Sequence, residues 1–140
     1  MLVDGTNPRI FNVYKHVGMV VNGKVPDGKH VMSHARHEAG KYFKDYDVLI
    51  GGRTLANRIS LYLNAYTLYN EVRPFGSCEI LASWNEDEGY GLYMLEPSGA
   101  YFGYSCCTAG KGRQTAKAEF EKTDFSKLTC REALFNIAKM

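Results

Sequence analysis

The chain has 140 residues, 45% of them apolar, and its 17 basic and 15 acidic side chains leave a formal net charge of +2. That length suits one domain able to bury about two thirds of its extended surface, and charge spread without long blocks offers no footprint for nucleic acid or an anionic membrane. No apolar run approaches the roughly 20 residues that span a bilayer, and the opening M-L-V-D-G-T-N-P-R resembles neither a secretory signal nor a transit peptide, so cytoplasm and nucleus are the expected compartments.

Arg9 to Tyr14 follows the turn-rich D-G-T-N-P, and Val17 to Val21 follows Lys15 and His16. Both are predicted strands, the second central and buried. Asn22-Gly23 ends that strand. Pro26-Asp27-Gly28 can start a helix, which Val31, His34, Ala35, Glu38, Ala39, Tyr42 and Phe43 continue at helical spacing to about Asp45.

The longest periodic segment runs from Thr54 to Gly76. Leu55, Ile59, Tyr62, Leu63, Tyr66, Tyr69 and Val72 recur every three or four residues and wind into one apolar stripe, with Thr54 as the expected N-cap. Pro74 biases Arg73 away from helix, and Gly76 can take a positive φ, so the helix is expected to stop near Val72 in a sharp corner, Arg73-Pro74-Phe75-Gly76.

Cys78 to Trp84 and Leu92 to Glu96 flank the polar turn N-E-D-E-G, and Tyr101 to Tyr104 follows E-P-S-G, with Pro97 suited to the second position of a turn. The pattern is an antiparallel meander, and Ser105 to Ala109 is read as one further strand. Lys111 to Lys122 then shifts to charged helix formers. Thr129-Cys130-Arg131-Glu132 matches a capping box, with Leu134, Ile137 and Ala138 following. A chain that opens in mid-sheet and stops at Met140 inside a helix would leave edges uncovered, so a partial domain spanning 1–140 is expected.

The residues that could carry chemistry each have a plainer reading. His30, His34 and His37 occupy neighbouring faces of one helix, but no third ligand converges, which favours a solvated face over a metal site. Gly110-x-Gly112-x-x-Thr115 lacks the third glycine of a dinucleotide fingerprint and fails the P-loop spacing. Cys78, Cys106, Cys107 and Cys130 follow no zinc or disulfide pattern and read as reduced, mostly buried apolar residues, the 106–107 pair on a strand. Glu86, Asp87 and Glu88 read as a solvated loop tip. No catalytic residue, metal site or cofactor is indicated.

N-A-Y-T-L-Y-N-E-V-R-P-F-G, Y-M-L-E-P-S-G (Tyr93 to Gly99) and G-K-G-R-Q-T-A-K-A-E-F-E-K (Gly110 to Lys122) together resemble the α-type subunits of the 20S proteasome. Their order and spacing agree along nearly the whole chain, and Arg73, Pro74, Phe75 and Gly76 with Pro97, Gly99, Gly110, Arg113 and Gln114 carry the likeness. The resemblance implies an α+β fold, a four-layer αββα sandwich of the N-terminal-nucleophile hydrolase type, present in part. It also implies a non-catalytic member of a seven-membered ring that gates substrate entry in ATP- and ubiquitin-dependent protein degradation. The alternative is a catalytic threonine protease subunit whose nucleophile strand lies outside these residues. Implied partners are neighbouring α subunits, the β ring, and the C-terminal tails of activators or the regulatory particle. By the same resemblance Arg9 falls at the position of a lysine that meets an activator tail's carboxylate, Gly23 matches a pocket glycine, and Lys24 stands where a leucine is frequent.

Overall fold

The computed structural model describes residues 5–139. Met140, expected inside the last helix, lies outside them. One compact unit ends at Ser105 and a second begins at Cys106.

The first unit is a five-stranded antiparallel sheet in the order β1-β2-β3-β4-β5, with β1 at Ile10–Tyr14, β2 at Val17–Gly23, β3 at Ser77–Asn85, β4 at Gly89–Leu95 and β5 at Tyr101–Gly103. Two helices, α1 (Val25–Tyr46) and α2 (Gly52–Leu68), connect β2 to β3. Both pack on one face of the sheet. Val13, Val17, Met19, Val21, Leu81 and Leu95 alternate toward them and meet Val31, Ala35, Leu55, Ile59 and Leu63 in a single buried core. The period of two in the strands and the three-to-four spacing in the helices thus converge on one layer boundary.

The other sheet face carries the alternate residues. Ile10 pairs with Val20, Val20 with Ile80, Ile80 with Met94, and Met94 with Phe102, so one apolar row crosses all five strands. An α+β sheet that is apolar on both faces, helices on one of them, is what the N-terminal-nucleophile fold requires: the helices take one face and a second sheet takes the other.

Several boundaries differ from the sequence expectation. α2 begins at Gly52 with Gly51 as N-cap, three residues ahead of the expected cap Thr54. The reason is packing: a Cβ on Gly52 would overlap Ser83 Oγ, so the first turn of the helix is pressed onto β3. α2 ends at Leu68, not near Val72, and Tyr69 and Val72 are exposed. α1 runs one residue past Asp45 and closes on Asp47, whose left-handed φ of 55° lets its amide reach the Phe43 carbonyl at 2.9 Å.

The second unit holds α3 (Arg113–Lys122), a single 3₁₀ turn at Phe125–Lys127, and α4 (Cys130–Lys139). Residues 105–109 are not a strand. The Thr129 capping box forms as expected: Thr129 Oγ1 accepts from the Glu132 amide at 3.4 Å, and Glu132 Oε2 accepts from the Thr129 amide at 2.9 Å.

Candidate functional site

Arg9, Gly23 and Lys24 converge at the corner where β2 passes into α1. The Arg9 carbonyl accepts the Val21 amide at 2.8 Å, which fixes the residue beside β2. Its guanidinium turns along the same edge, and Nη1 donates to the Gly23 carbonyl at 3.2 Å. Arg9 makes no ion pair among the described residues.

Gly23 has φ of 104°, a region that L side chains rarely adopt, and a Cβ there would collide with the Gly76 carbonyl oxygen. Glycine is required on both counts. Lys24 is the N-cap of α1 without a side-chain cap, and its amide donates to that Gly76 carbonyl at 2.9 Å. Its methylene stem crosses Gly76 so closely that a Cβ at 76 would lie 3.1 Å from Lys24 Cδ.

The Arg73–Gly76 corner is therefore part of the same structure. Arg73 forms a two-pronged ion pair with Asp27 in the first turn of α1, Nη1 to Oδ2 at 2.7 Å and Nη2 to Oδ1 at 2.9 Å. Asp27 Oδ2 also accepts the Gly76 amide at 2.8 Å. The Arg73 guanidinium, and after it the Gly76 amide, hold the Asp27 carboxyl well below the usual carboxylate range. Pro74 removes an amide hydrogen where none is needed, and the Arg73 side chain donates to the Pro74 carbonyl at 3.0 Å.

Phe75 anchors the corner from below. It is buried, with its ring 4.5 Å from that of Tyr66 and 5.7 Å from that of His30. His30 Nε2 and Tyr62 Oη lie 2.6 Å apart, and Tyr62 Oη lies 3.1 Å from Tyr66 Oη. His34 stacks on Tyr62 at 3.7 Å. Burial, then the Tyr66 hydroxyl, pushes the Tyr62 phenol up to about 12, and burial lowers His34. The expectation of a solvated histidine face thus holds only in part: His37 is exposed, His34 is half-buried against α2, and His30 keeps an exposed edge while its ring engages Tyr62 and Phe75. Among the described residues no three His, Cys, Asp or Glu side chains are grouped to hold a metal.

The remaining sequence-marked residues lie elsewhere. Glu96-Pro97-Ser98-Gly99 is a turn closed by the Gly99 amide on the Glu96 carbonyl at 2.9 Å, with Pro97 in its second position. Asn64 of α2 ties that turn down through the Ser98 carbonyl at 3.0 Å. In the second unit Gly110, at φ 120°, accepts the Arg113 amide at 3.3 Å, and Arg113 and Gln114 open α3.

The cysteine expectation is corrected: Cys78, Cys106 and Cys107 are half-buried, Cys130 is exposed, and the 106–107 pair sits on no strand. Without a strand to turn alternate side chains inward, neighbouring thiols are both only partly covered. Of the acidic tip, Glu88 lies against the start of α2, its carboxylate filling the space a side chain at Gly51 would need. A carboxylate at a helix N-terminus is favourably placed.

Two residues escaped the sequence reading. Asp27 was legible only as part of a helix start, although an acid in a first turn is a recognised signal. Glu79 was hidden inside a β-like run, yet positions 77, 79 and 81 share a face, and that face is the buried one.

A family model described as "Proteasome subunit" matches residues 1–140. "Proteasome subunit alpha type-3" of Oryza sativa subsp. japonica is 44% identical over the whole chain, which covers 56% of that relative. The protein of the same name from Drosophila melanogaster is 50% identical over 81% of the chain and 45% of the relative. "Probable proteasome subunit alpha type-7" of Schizosaccharomyces pombe is 40% identical over the whole chain and 55% of the relative. The chain spans about half the length of the curated relatives it matches.

Proposed function

This chain belongs to the proteasome subunit family, and from that premise we propose that the protein it represents is a non-catalytic α-ring subunit of the 20S core particle, structural in itself and a docking point for activators. The observation that carries the reading is the family match along the entire chain, joined to the α-type names of the rice, fly and fission-yeast relatives. Its partners are then the neighbouring α subunits, the β ring below, and the C-terminal tails of regulators above.

The docking role rests on the β2–α1 corner. A terminal carboxylate that leaves water for a cleft needs a cationic donor to offset its desolvation. Arg9 supplies a planar fork, one prong of which is engaged by Gly23, leaving further N–H groups for a ligand. Lys24 adds a second cation at the uncapped start of α1, where the helix dipole also favours an anion.

The test has two arms. Tagged full-length protein expressed in its own cells should co-purify with other α and β subunits, and alone it should hydrolyse no peptide. A free monomer, or turnover that tracks the purified subunit, overturns the assignment. On assembled rings, Arg9→Ala should weaken a peptide ending in a free carboxylate roughly tenfold or more, as expected for one lost charge-assisted hydrogen bond, and Arg9→Lys should recover part of it. Equal dissociation constants for wild-type and Arg9→Ala rings end the pocket assignment.

A further inference from the structure

We infer that Asp27 is the positioning residue of this pocket, acting through Arg73 and Gly76 rather than on the ligand; the inference rests on the reading of Arg9, Gly23 and Lys24 as a carboxylate site. The chain of contacts is short. Asp27 takes both prongs of Arg73 and the amide of Gly76. The Gly76 carbonyl in turn receives the Lys24 amide at 2.9 Å and packs against Gly23 with no room for a Cβ between them. The Gly23 carbonyl then receives Arg9. One carboxylate on the first turn of α1 thus holds the segment against which all three pocket residues are set.

The geometry also explains why the segment reads R-P-F-G. Arg73 must be arginine, because a lysine point charge satisfies only one of the two Asp27 oxygens. Phe75 pins the segment into the aromatic cluster of His30, Tyr62 and Tyr66, so it cannot slide along α1. A side chain at Gly76 would press on the Lys24 stem, 3.1 Å from its Cδ, and shift it. Each feature serves a fixed distance between the segment and the β2–α1 corner.

Asp27 is half-buried, and both its oxygens are occupied by Arg73 and Gly76, so its removal subtracts no ligand contact in this arrangement. What it changes is the fraction of molecules in which the Gly23 carbonyl holds the Arg9 guanidinium in place, and apparent affinity falls by that fraction. The effect is therefore conditional on Arg9.

The experiment uses full-length protein in assembled rings and a synthetic peptide with a free C-terminal carboxylate, its C-terminally amidated twin serving as control. Asp27→Asn, which keeps the shape and loses the charge, is expected to weaken the carboxylate peptide about three- to tenfold while Asp27→Glu restores part of the loss. In the double variant Arg9→Ala/Asp27→Asn the second substitution should cost little more than Arg9→Ala alone, a non-additivity that a general loss of stability would not produce. If Asp27→Asn blocks ring formation, Arg73→Lys is read instead, with a loss of about two- to fivefold expected from the missing prong. Should Arg9→Ala weaken the peptide while Asp27→Asn and Arg73→Lys rings bind it as wild type does, or should the two losses simply add, the positioning role is wrong and the pocket stands. Should Arg9→Ala itself have no effect, the pocket reading fails, and the positioning role fails with it.

Discussion

Glu79 shows how far one side chain can depart from the pattern around it. It lies on the helix-facing side of β3 between Ser77 and Leu81 and has no exposed surface. Ser77 Oγ donates to Oε1 at 2.6 Å, while Oε2 meets no partner among the described residues. Burial is the main cause that pushes this carboxyl up to about 7, and the Ser77 bond only partly opposes it. Below about pH 4.5 the group is protonated whether the chain is folded or not. Between there and about 7 the unfolded chain gives up the proton and the folded one keeps it, so stability falls as pH rises through that window and stays low above it. At about 1.36 kcal/mol for each pH step of that window, the loss is on the order of 3 kcal/mol. His34 works against this trend, because burial lowers its pKa and stability is lost as it protonates on acidification. The clean measurement is therefore a difference: the melting temperature of Glu79→Gln is expected to gain on wild type as pH rises from about 5 to about 8, and two parallel pH profiles would refute the buried acid. The sequence showed a β-run here. It did not show which face is dry, because that depends on where the two helices land.

At the scale of elements, the strands and helices were legible because their apolar spacing is a local property, and the departures come from tertiary contacts. α2 was expected to continue to Val72, since nothing in Tyr69 to Val72 forbids helix. It stops at Leu68 because the following residues must extend to bring Arg73 to Asp27 and Phe75 into the aromatic cluster. The stripe shortens accordingly: Leu55, Ile59 and Leu63 are fully buried, while Tyr62 and Tyr66 are half-buried, their hydroxyls 3.1 Å apart and that of Tyr62 also 2.6 Å from His30 Nε2. Tyr66→Asp is thus expected to cost roughly 1–3 kcal/mol, less than a carboxylate placed in the full core, and an unchanged melting temperature would contradict even that. The tighter joint is at α1. Gly28 is buried against β2, where a Cβ would overlap Val21 Cγ1. Gly28→Val gains helix propensity in isolation yet must push α1 off the sheet, so a net destabilisation of about 1–3 kcal/mol is expected in chemical denaturation. A stabilised variant would mean that the helix and sheet are further apart than described.

For the molecule as a whole, the informative surface is the sheet face turned away from α1 and α2. The row Ile10, Val20, Ile80, Met94 and Phe102 runs across every strand, with Ile10 76% and Phe102 58% exposed. Contiguous apolar surface of this kind marks an interface in a soluble protein. In the αββα fold that face closes on a second sheet at about 10 Å. The alternation in each strand was visible in the sequence, but the row was not, because it exists only once the register between strands is set. Its role can be read from one substitution made in two contexts. Ile80→Asp puts a carboxylate in the middle of the row, on the side opposite the helix core. In the 140-residue chain, where Ile80 is only half-buried, the change should cost about 1–2 kcal/mol. In the full-length protein the same carboxylate would be trapped between two sheets without a partner, and the expected cost rises to several kcal/mol, with loss of ring assembly. The contrast between the two melts carries the conclusion: equal, small losses in both would mean that nothing closes over this face, and the sandwich would have to be built some other way.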